Sequence, residues 1–508
     1  MNPPRLARIA ALLPFLALMP SVSAEDHFLV LGGGYSPESN QVSLEKNVLL
    51  FQKLLGEIYP GGVPAEFYFS DGADPGRDLV FEQPVSAIPQ VNLLLARVYR
   101  QADSLGETFR SHAISRLNGA CNRPSLDAWF QNQGQSLKPG DRLLIYVTAH
   151  GGKGGKDTPR NTTLHLWGNQ ELTVKDLAAQ LDSLPQSVKV VLVMVQCYAG
   201  GFADLIFQNG DDKAPLGRED LCGFFATTHD RPAAGCTTDI EEENYHEYST
   251  YFWEAIRGRT RLDQPVTRPR DLDNDGAVSF AEAHAYTLLE SRTVDIPVKT
   301  SDAFLRRFSK LQGDKLWAAD TVYPDLLATA NPLDRAVLEG LSQSLQLSGP
   351  NRLAAAQSKA EASRKQKQSL ENQKRDLNRM LNRAATSIQR DLTARWPELK
   401  NRWNPRLVDL MTREAADVVS AITSHRSYPE FERTRQQAAQ LDEQILDQDR
   451  VWVKCQRLIR TLENTAAAAN LPRVADADTQ ARYQRLLVAE AATLATPDPA
   501  VTQRGGSH

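Results

Sequence analysis

The sequence predicts an α/β fold, a mostly parallel sheet with helices on both faces, followed by an all-α helical module. Three observations carry this. Residues 143–147 (LLIYV) and 190–195 (VVLVMV) are short apolar runs without alternation, the pattern of strands buried on both faces of a parallel sheet. From residue 27 to about 290 such runs alternate with amphipathic helical stretches. Beyond about residue 300 glycine nearly vanishes and Ala, Gln, Arg, Leu and Glu dominate, the composition of packed helices.

The elements follow in order. Residues 27–31 form a strand ending at Gly32-Gly33-Gly34, and Ser43 is placed to cap a helix over 44–58. A second strand spans 65–69. Residues 73–136 are less regular and are read as an insertion with helices near 89–105 and 108–117. The strand at 143–147 runs into Thr148-Ala149-His150-Gly151-Gly152, and a hairpin near 162–167 precedes a helix capped by Thr173. The strand at 190–195 runs into Gln196-Cys197-Tyr198-Ala199-Gly200-Gly201, with a helix over about 201–208. A strand at 223–228 and a helix at 248–257 complete the alternation. One long polar helix is expected over 351–395, then helices near 407–424, 429–462 and 479–494 with some coiled-coil character.

At 508 residues the chain exceeds one compact core. The expected division is an α/β domain over 25–300, a connection over 301–350 and a helical module over 351–508. With 58 basic against 62 acidic residues, the charge gives no footprint for nucleic acid or an anionic membrane. Residues 1–24 have the layout of a secretory signal peptide: Arg5 and Arg8, an apolar stretch over 9–19, then Val22-Ser23-Ala24. Pro14 interrupts that stretch, which is too short to span a bilayer. A secreted or periplasmic protein with no membrane span after removal is therefore expected. Five cysteines leave at least one thiol unpaired in such a compartment. Cys197 is the one expected to stay free, Cys222 and Cys236 are spaced to close a short loop, and a pairing of Cys121 with Cys455 is left open.

Active groups of open α/β sheets collect at the carboxyl ends of the strands. If the two apolar runs are neighbours, His150 and Cys197 emerge side by side as base and thiol nucleophile. Gly151 and Cys197 would offer backbone N–H groups to an oxyanion, and helix-start amides would lower the thiol pKa. His229, also at a strand end, is the rival base, while His165, His246 and His284 read as structural.

These residues resemble the caspase–legumain clan of cysteine peptidases, closest to the legumain family. The clan's two blocks appear in order as IYVTAHGG and VVLVMVQCYAGG. Between them Asn169, Leu172, Val174, Lys175, Asp176 and Leu177 are similar to a legumain motif, as are Ala226-Thr227-Thr228 and the later Cys236 and Asp239. The resemblance covers about 27–290 and implies a caspase-like fold and a thioester acyl-enzyme with no cofactor for catalysis. It further implies that Asn40 orients His150. Gln196 stands where the clan carries a small residue, and Val195 and Val42 stand where legumains carry substrate-binding charges, so asparagine specificity does not carry over. Asp239 and Asp230 remain as acidic candidates for the substrate pocket, alongside Gln196.

Asp271-Leu272-Asp273-Asn274-Asp275-Gly276-Ala277-Val278-Ser279-Phe280-Ala281-Glu282 satisfies the EF-hand loop pattern. Calcium would be held by Asp271, Asp273, Asp275, the Ala277 carbonyl, Ser279 and Glu282, in a structural role. Pro265 and Pro269 argue against an ordinary entering helix.

The expectation is an exported endopeptidase acting on a protein or peptide substrate, held as a zymogen by its C-terminal helices. The rivals are an inactive caspase-like scaffold whose helices bind a protein partner, and a transpeptidase of the same fold.

Overall fold

A computed structural model describes residues 24–309 and 316–494. The signal-peptide segment falls almost wholly outside the described residues. The chain begins with β1 (Asp26–Gly33), α1 (Val42–Ile58) and β2 (Ala65–Phe69). An insertion follows, holding β3 (Leu79–Glu82), α2 (Gln90–Tyr99), β4 (Glu107–Arg110) and α3 (Arg123–Gln131). Next come β5 (Arg142–Ala149), β6 (Gly151–Gly152), β7 (Thr163–Leu166), β8 (Gln170–Thr173), α4 (Val174–Asp182) and β9 (Lys189–Met194). A 3-10 helix at Ala199–Ile206 leads to β10 (Leu221–Phe225), α5 (Tyr248–Arg257), α6 (Phe280–Glu290), β11 (Val298–Lys299) and α7 (Thr300–Phe308). The elements described after α7 are all helices: α8 (Tyr323–Thr329), α9 (Pro332–Ser344), α10 (Arg352–Arg395), α11 (Leu407–Met411), α12 (Ala415–Thr423), α13 (Tyr428–Val474) and α14 (Ala477–Glu490).

The six-stranded sheet has the order β11-β10-β9-β5-β1-β2, parallel throughout except for the short antiparallel edge strand β11. The central strands β1, β5 and β9 are buried along nearly their whole length, as their unbroken apolar runs require. On one side Phe51 of α1 packs its ring against Tyr146 of β5 and Trp253 of α5, at 4.9 and 4.7 Å. Burial of such aromatic side chains is the largest single contribution a core of this kind makes.

Two expectations fail locally. The helix expected over 108–117 is instead β4, paired antiparallel with β3, because Thr108 and Phe109 sit opposite Phe81 and Val80. Arg110, which ends it, forks onto the buried Glu45 of α1. Ser43 does not cap α1. The helix starts at Val42, and Ser43 uses its hydroxyl to accept the Thr237 N–H at 3.0 Å.

The helices beyond residue 350 form an antiparallel hairpin of α10 and α13, fixed in register by Ser363 with Gln448, Lys367 with Asp449 and Lys374 with Asp442. Its far end packs Leu381, Ile388 and Leu392 onto Val91, Leu94, Leu95 and Val98 of α2, so the insertion serves as a dock for the helices. Its near end returns to the sheet. Leu471, Tyr483, Leu486 and Leu494 belong to the same core as the central strands. Glu490, 1% exposed, pairs with Lys299 and accepts the Thr300 hydroxyl and the Ser301 N–H at the start of α7. The composition changes at residue 300, but the packing does not divide there. Among the described residues, no helix is long and apolar enough to cross a membrane.

Candidate active site

Strands β5 and β9 are adjacent, with Val147 opposite Met194. His150 and Cys197 each lie three residues beyond that pair, so they leave the sheet at the same level. The backbone at Gly151, next after His150, runs against that of Cys197: a Cβ on Gly151 would collide with the Cys197 carbonyl oxygen and lie 2.7 Å from Gln196 Cγ. Glycine is thus the residue this approach requires. After Cys197 the chain turns sharply, with Tyr198 at φ +62° and its N–H donating to the Arg231 carbonyl at 2.9 Å. A left-handed tyrosine is an uncommon backbone state, and here it sits directly after the candidate nucleophile.

The imidazole of His150 is fixed by two acceptors. Its Nε2 lies 2.8 Å from the Ser39 carbonyl oxygen and 2.9 Å from Gln41 Oε1. A carbonyl accepts only, so Nε2 carries the hydrogen and Nδ1 keeps its lone pair. Asn40 does not orient this ring. It is fully buried with its side chain turned inward, where Oδ1 accepts the Gly34 N–H and Nδ2 donates to the Asp78 carbonyl and carboxylate. The orienting groups are its two chain neighbours, Ser39 and Gln41. The rival base His229 has its Nδ1 occupied by Arg160, which also holds the buried Asp204.

A segment without regular structure, residues 231–239, lies over the pair as a strap. Ala233 donates its N–H to Cys197 Sγ at 3.3 Å, and its carbonyl lies 3.8 Å from that sulfur. Cys236 places its Sγ 3.7 Å from His150 Nδ1. Thr237 exchanges hydrogen bonds with Ser43 of α1, and Thr238 accepts the Glu82 N–H. The strap therefore runs from the nucleophile's strand to the start of α1.

Burial raises the Cys197 thiol above its ordinary pKa, the Ala233 N–H pulls the other way, and the charge of Asp295 adds to the rise. Burial likewise lowers His150, against the Ser39 carbonyl. The expectation that helix-start amides would lower the thiol pKa is thus reversed, because desolvation outweighs those dipoles at a half-buried sulfur. Both shifts favour the uncharged forms, thiol and imidazole.

The acidic candidates are spent locally. Asp230 accepts the Thr228 hydroxyl at 2.6 Å. Asp239 takes the Glu241 N–H and the Asn244 amide. Gln196 is 1% exposed and neither its amide oxygen nor its nitrogen finds a partner. The carboxylates that face the strap were not singled out from the sequence. Asp295, fully buried, accepts the Ala234 N–H at 2.7 Å while its other oxygen has no partner, and burial pushes its carboxyl up to about 6. Glu247, pushed by burial to about 7, lies against Gly235, whose φ of +136° and lack of a Cβ allow the approach.

All five cysteines are free thiols. The loop expected from Cys222 and Cys236 is not formed, because β10 buries Cys222 in the core while Cys236 sits exposed on the strap. Cys121 and Cys455 are each buried and unpaired.

In the 271–282 loop the carboxylates of Asp271, Asp273 and Asp275 gather within 4.8 Å of one another. Asp271 Oδ2 accepts the Gly276 N–H, and Gly276 has the positive φ (+90°) the turn demands. Glu282 is not part of that group. Its oxygens accept the N–H groups of Leu272 and Ser279 and the Ser279 hydroxyl, which also makes Ser279 the cap of α6. Among the described residues no helix enters the loop, as Pro265 and Pro269 foretell.

No family model matches this chain, and no curated protein matches it either. A solved structure, protein GSU0716 from Geobacter sulfurreducens, is 12% identical over 42% of this chain and 77% of its own, with a TM-score of 0.24. A likeness at that level carries no argument about function.

Proposed function

We propose that the protein is an exported cysteine endopeptidase that works through Cys197 and His150. The supporting observation is the common level of the two residues at adjacent strand ends, with Nε2 of His150 tied to the Ser39 carbonyl so that Nδ1, which the Cys236 thiol faces at rest, keeps its lone pair. The resemblance to the caspase–legumain clan points the same way. Nδ1 takes the thiol proton as Cys197 Sγ bonds to the substrate carbonyl carbon. The oxyanion draws on the N–H groups of Gly151 and Cys197. Collapse breaks the C–N bond, Nδ1 returns its proton to the leaving amine, and water then hydrolyses the thioester with Nδ1 again as base. An amine in place of that water would make the same acyl-enzyme a transpeptidase.

In the resting form Ala233 occupies Cys197 Sγ, so a substrate must displace the strap. The C-terminal helices hold the strap from behind. Arg457 of α13, 1% exposed, donates to the carbonyls of Leu288, Ser291, Thr293 and Asp295, and Asp295 in turn holds Ala234. Trp452 stacks under Arg231 at 4.8 Å. Inhibition by the helices would therefore act through the strap. The test is cleavage of a peptide library by the full chain: activity is expected, lost in Cys197→Ala and kept in Cys222→Ala. A Cys197→Ala protein as active as the parent would end the peptidase reading and leave the scaffold.

The acidic loop fits calcium. Asp271 Oδ1 is buried without a partner, and the three carboxylates lie within 4.8 Å of one another. Asp271, Asp273 and Asp275 would hold the ion with the Ala277 carbonyl, and its charge would relieve their repulsion and brace α6. Ser279 and Glu282 would join only by leaving their present hydrogen bonds. Titration calorimetry of the full chain should show uptake that Asp271→Asn abolishes. No heat from the parent protein would remove calcium from the mechanism.

A further inference from the structure

Cys236 is the one thiol of the chain that peptide-bond hydrolysis does not use and that the core does not bury. It sits where a second sulfur has the greatest consequence, on the strap, against the face of His150 that carries the free lone pair. Its strap neighbour Ala233, three residues earlier, already holds the sulfur of Cys197 from both its N–H and its carbonyl. Between them Gly235 adopts a φ of +136° that side chains rarely permit, so the segment pivots at a residue with broad backbone freedom. The ligand atoms of Cys197, Cys236 and His150 are not drawn together as a metal site would draw them. Among the described residues that close grouping occurs at Asp271, Asp273 and Asp275.

We infer that Cys236 is a resolving thiol for Cys197, and that oxidation joins the two in a reversible disulfide that shuts the site. The inference rests on the proposed function for the nucleophile Cys197, the base His150 and the exported address. Its chemistry needs a two-electron oxidant, here hydrogen peroxide. Cys197 sulfur attacks the peroxide O–O bond, becoming a sulfenic acid and releasing water. Cys236 then gives its proton to His150 Nδ1, and its sulfur attacks the sulfenic sulfur. The S–S bond forms as the S–O bond breaks, and the hydroxide leaves as a second water with the proton from His150. Two thiols and one peroxide thus give one disulfide and two waters. A strap shift brings the sulfurs to the roughly 2.0 Å of the bond. The product keeps Cys197 from the irreversible sulfinic state and places Cys236 across the substrate's approach. A free nucleophilic thiol in an oxidising compartment has need of such protection.

The test uses the full chain treated with stoichiometric hydrogen peroxide and mapped by mass spectrometry without reduction. Cys222 and Cys236 fall on one tryptic peptide because Arg231 precedes proline, so a second cut at Phe224 or Phe225 separates them. The expected product links Cys197 to Cys236 with the loss of two hydrogens, and dithiothreitol restores both thiols. In Cys236→Ser the first equivalent should leave Cys197 as a sulfenic acid that dimedone traps, and a second equivalent should take it to sulfinic acid that dithiothreitol does not reverse. Sulfinic acid at Cys197 in the parent protein, or its pairing with Cys222 or with a second chain, would overturn the inference. The readout is covalent, so it stands or falls separately from peptide cleavage.

Discussion

Replacing His150 with alanine is expected to lower peptide turnover by roughly 10²–10⁴-fold, the range general acid–base groups supply, with little change in thermal midpoint. The stability cost is small because the ring's partners are few. Its Nε2–H meets the Ser39 carbonyl and the Gln41 amide at a partly buried rim, and a neutral hydrogen bond contributes about 1 kcal/mol net. The kinetic cost is large because the rival imidazole, His229, is engaged by Arg160 and cannot replace it. Asn40→Ala should behave in the opposite sense. It removes a fully buried amide that holds Gly34 and Asp78, so stability falls first and turnover falls only as the rim deforms. Measuring turnover and melting together on both variants separates the base from its scaffold.

The fragment 24–309 is expected not to fold. A boundary at 300 suggests a removable inhibitory module, but the sheet's own core includes Leu471, Tyr483 and Leu486 from the last two helices and Leu494 just beyond them. Each such side chain contributes about 1.5–3 kcal/mol on burial, so the set is comparable with the 5–15 kcal/mol stability of a whole domain. Truncation also strands Lys299 without Glu490, and leaves the start of α7 without the carboxylate that takes its Ser301 N–H. The four carbonyls that Arg457 satisfies lose their donor as well. Circular dichroism of the fragment should show no cooperative thermal transition. A cooperative melt with native near-ultraviolet signal would mean the helices are dispensable for the fold. Relief of inhibition, if the helices supply it, then has to come from a rearrangement or a cut that leaves them docked.

What the sequence made legible was what local pattern controls. Unbroken β-branched runs located β5 and β9, and the reactive residues at their ends fell level because the strands are neighbours. Loop chemistry located the Asp271, Asp273 and Asp275 group, and helical periodicity placed α5 and α10 at nearly their observed bounds. The rest depended on distant partners. Thr108 and Phe109 are neutral between helix and strand until β3 lies beside them. Asn40 and its neighbours Ser39 and Gln41 are equally able to reach an imidazole, and only the turn of the chain decides which of them do. The strap over 231–239 has no periodicity at all. Its position is set by Ser43, Asp295 and Glu82, each far away in sequence. The acids facing it, Asp295 and Glu247, carry no motif. Their signal is burial with unspent oxygens, which appears only in three dimensions.

The most direct test of the Cys197–His150 pair is the mapped rate of modification by a peptidyl acyloxymethyl ketone, set beside that by iodoacetamide. The expected result is a single adduct on Cys197. Its rate with the peptidyl reagent should fall by orders of magnitude in His150→Ala, with Cys197 still open to the small alkylating agent. An adduct on Cys236 or Cys222 instead, or a peptidyl rate indifferent to His150, would contradict the pair as the seat of catalysis.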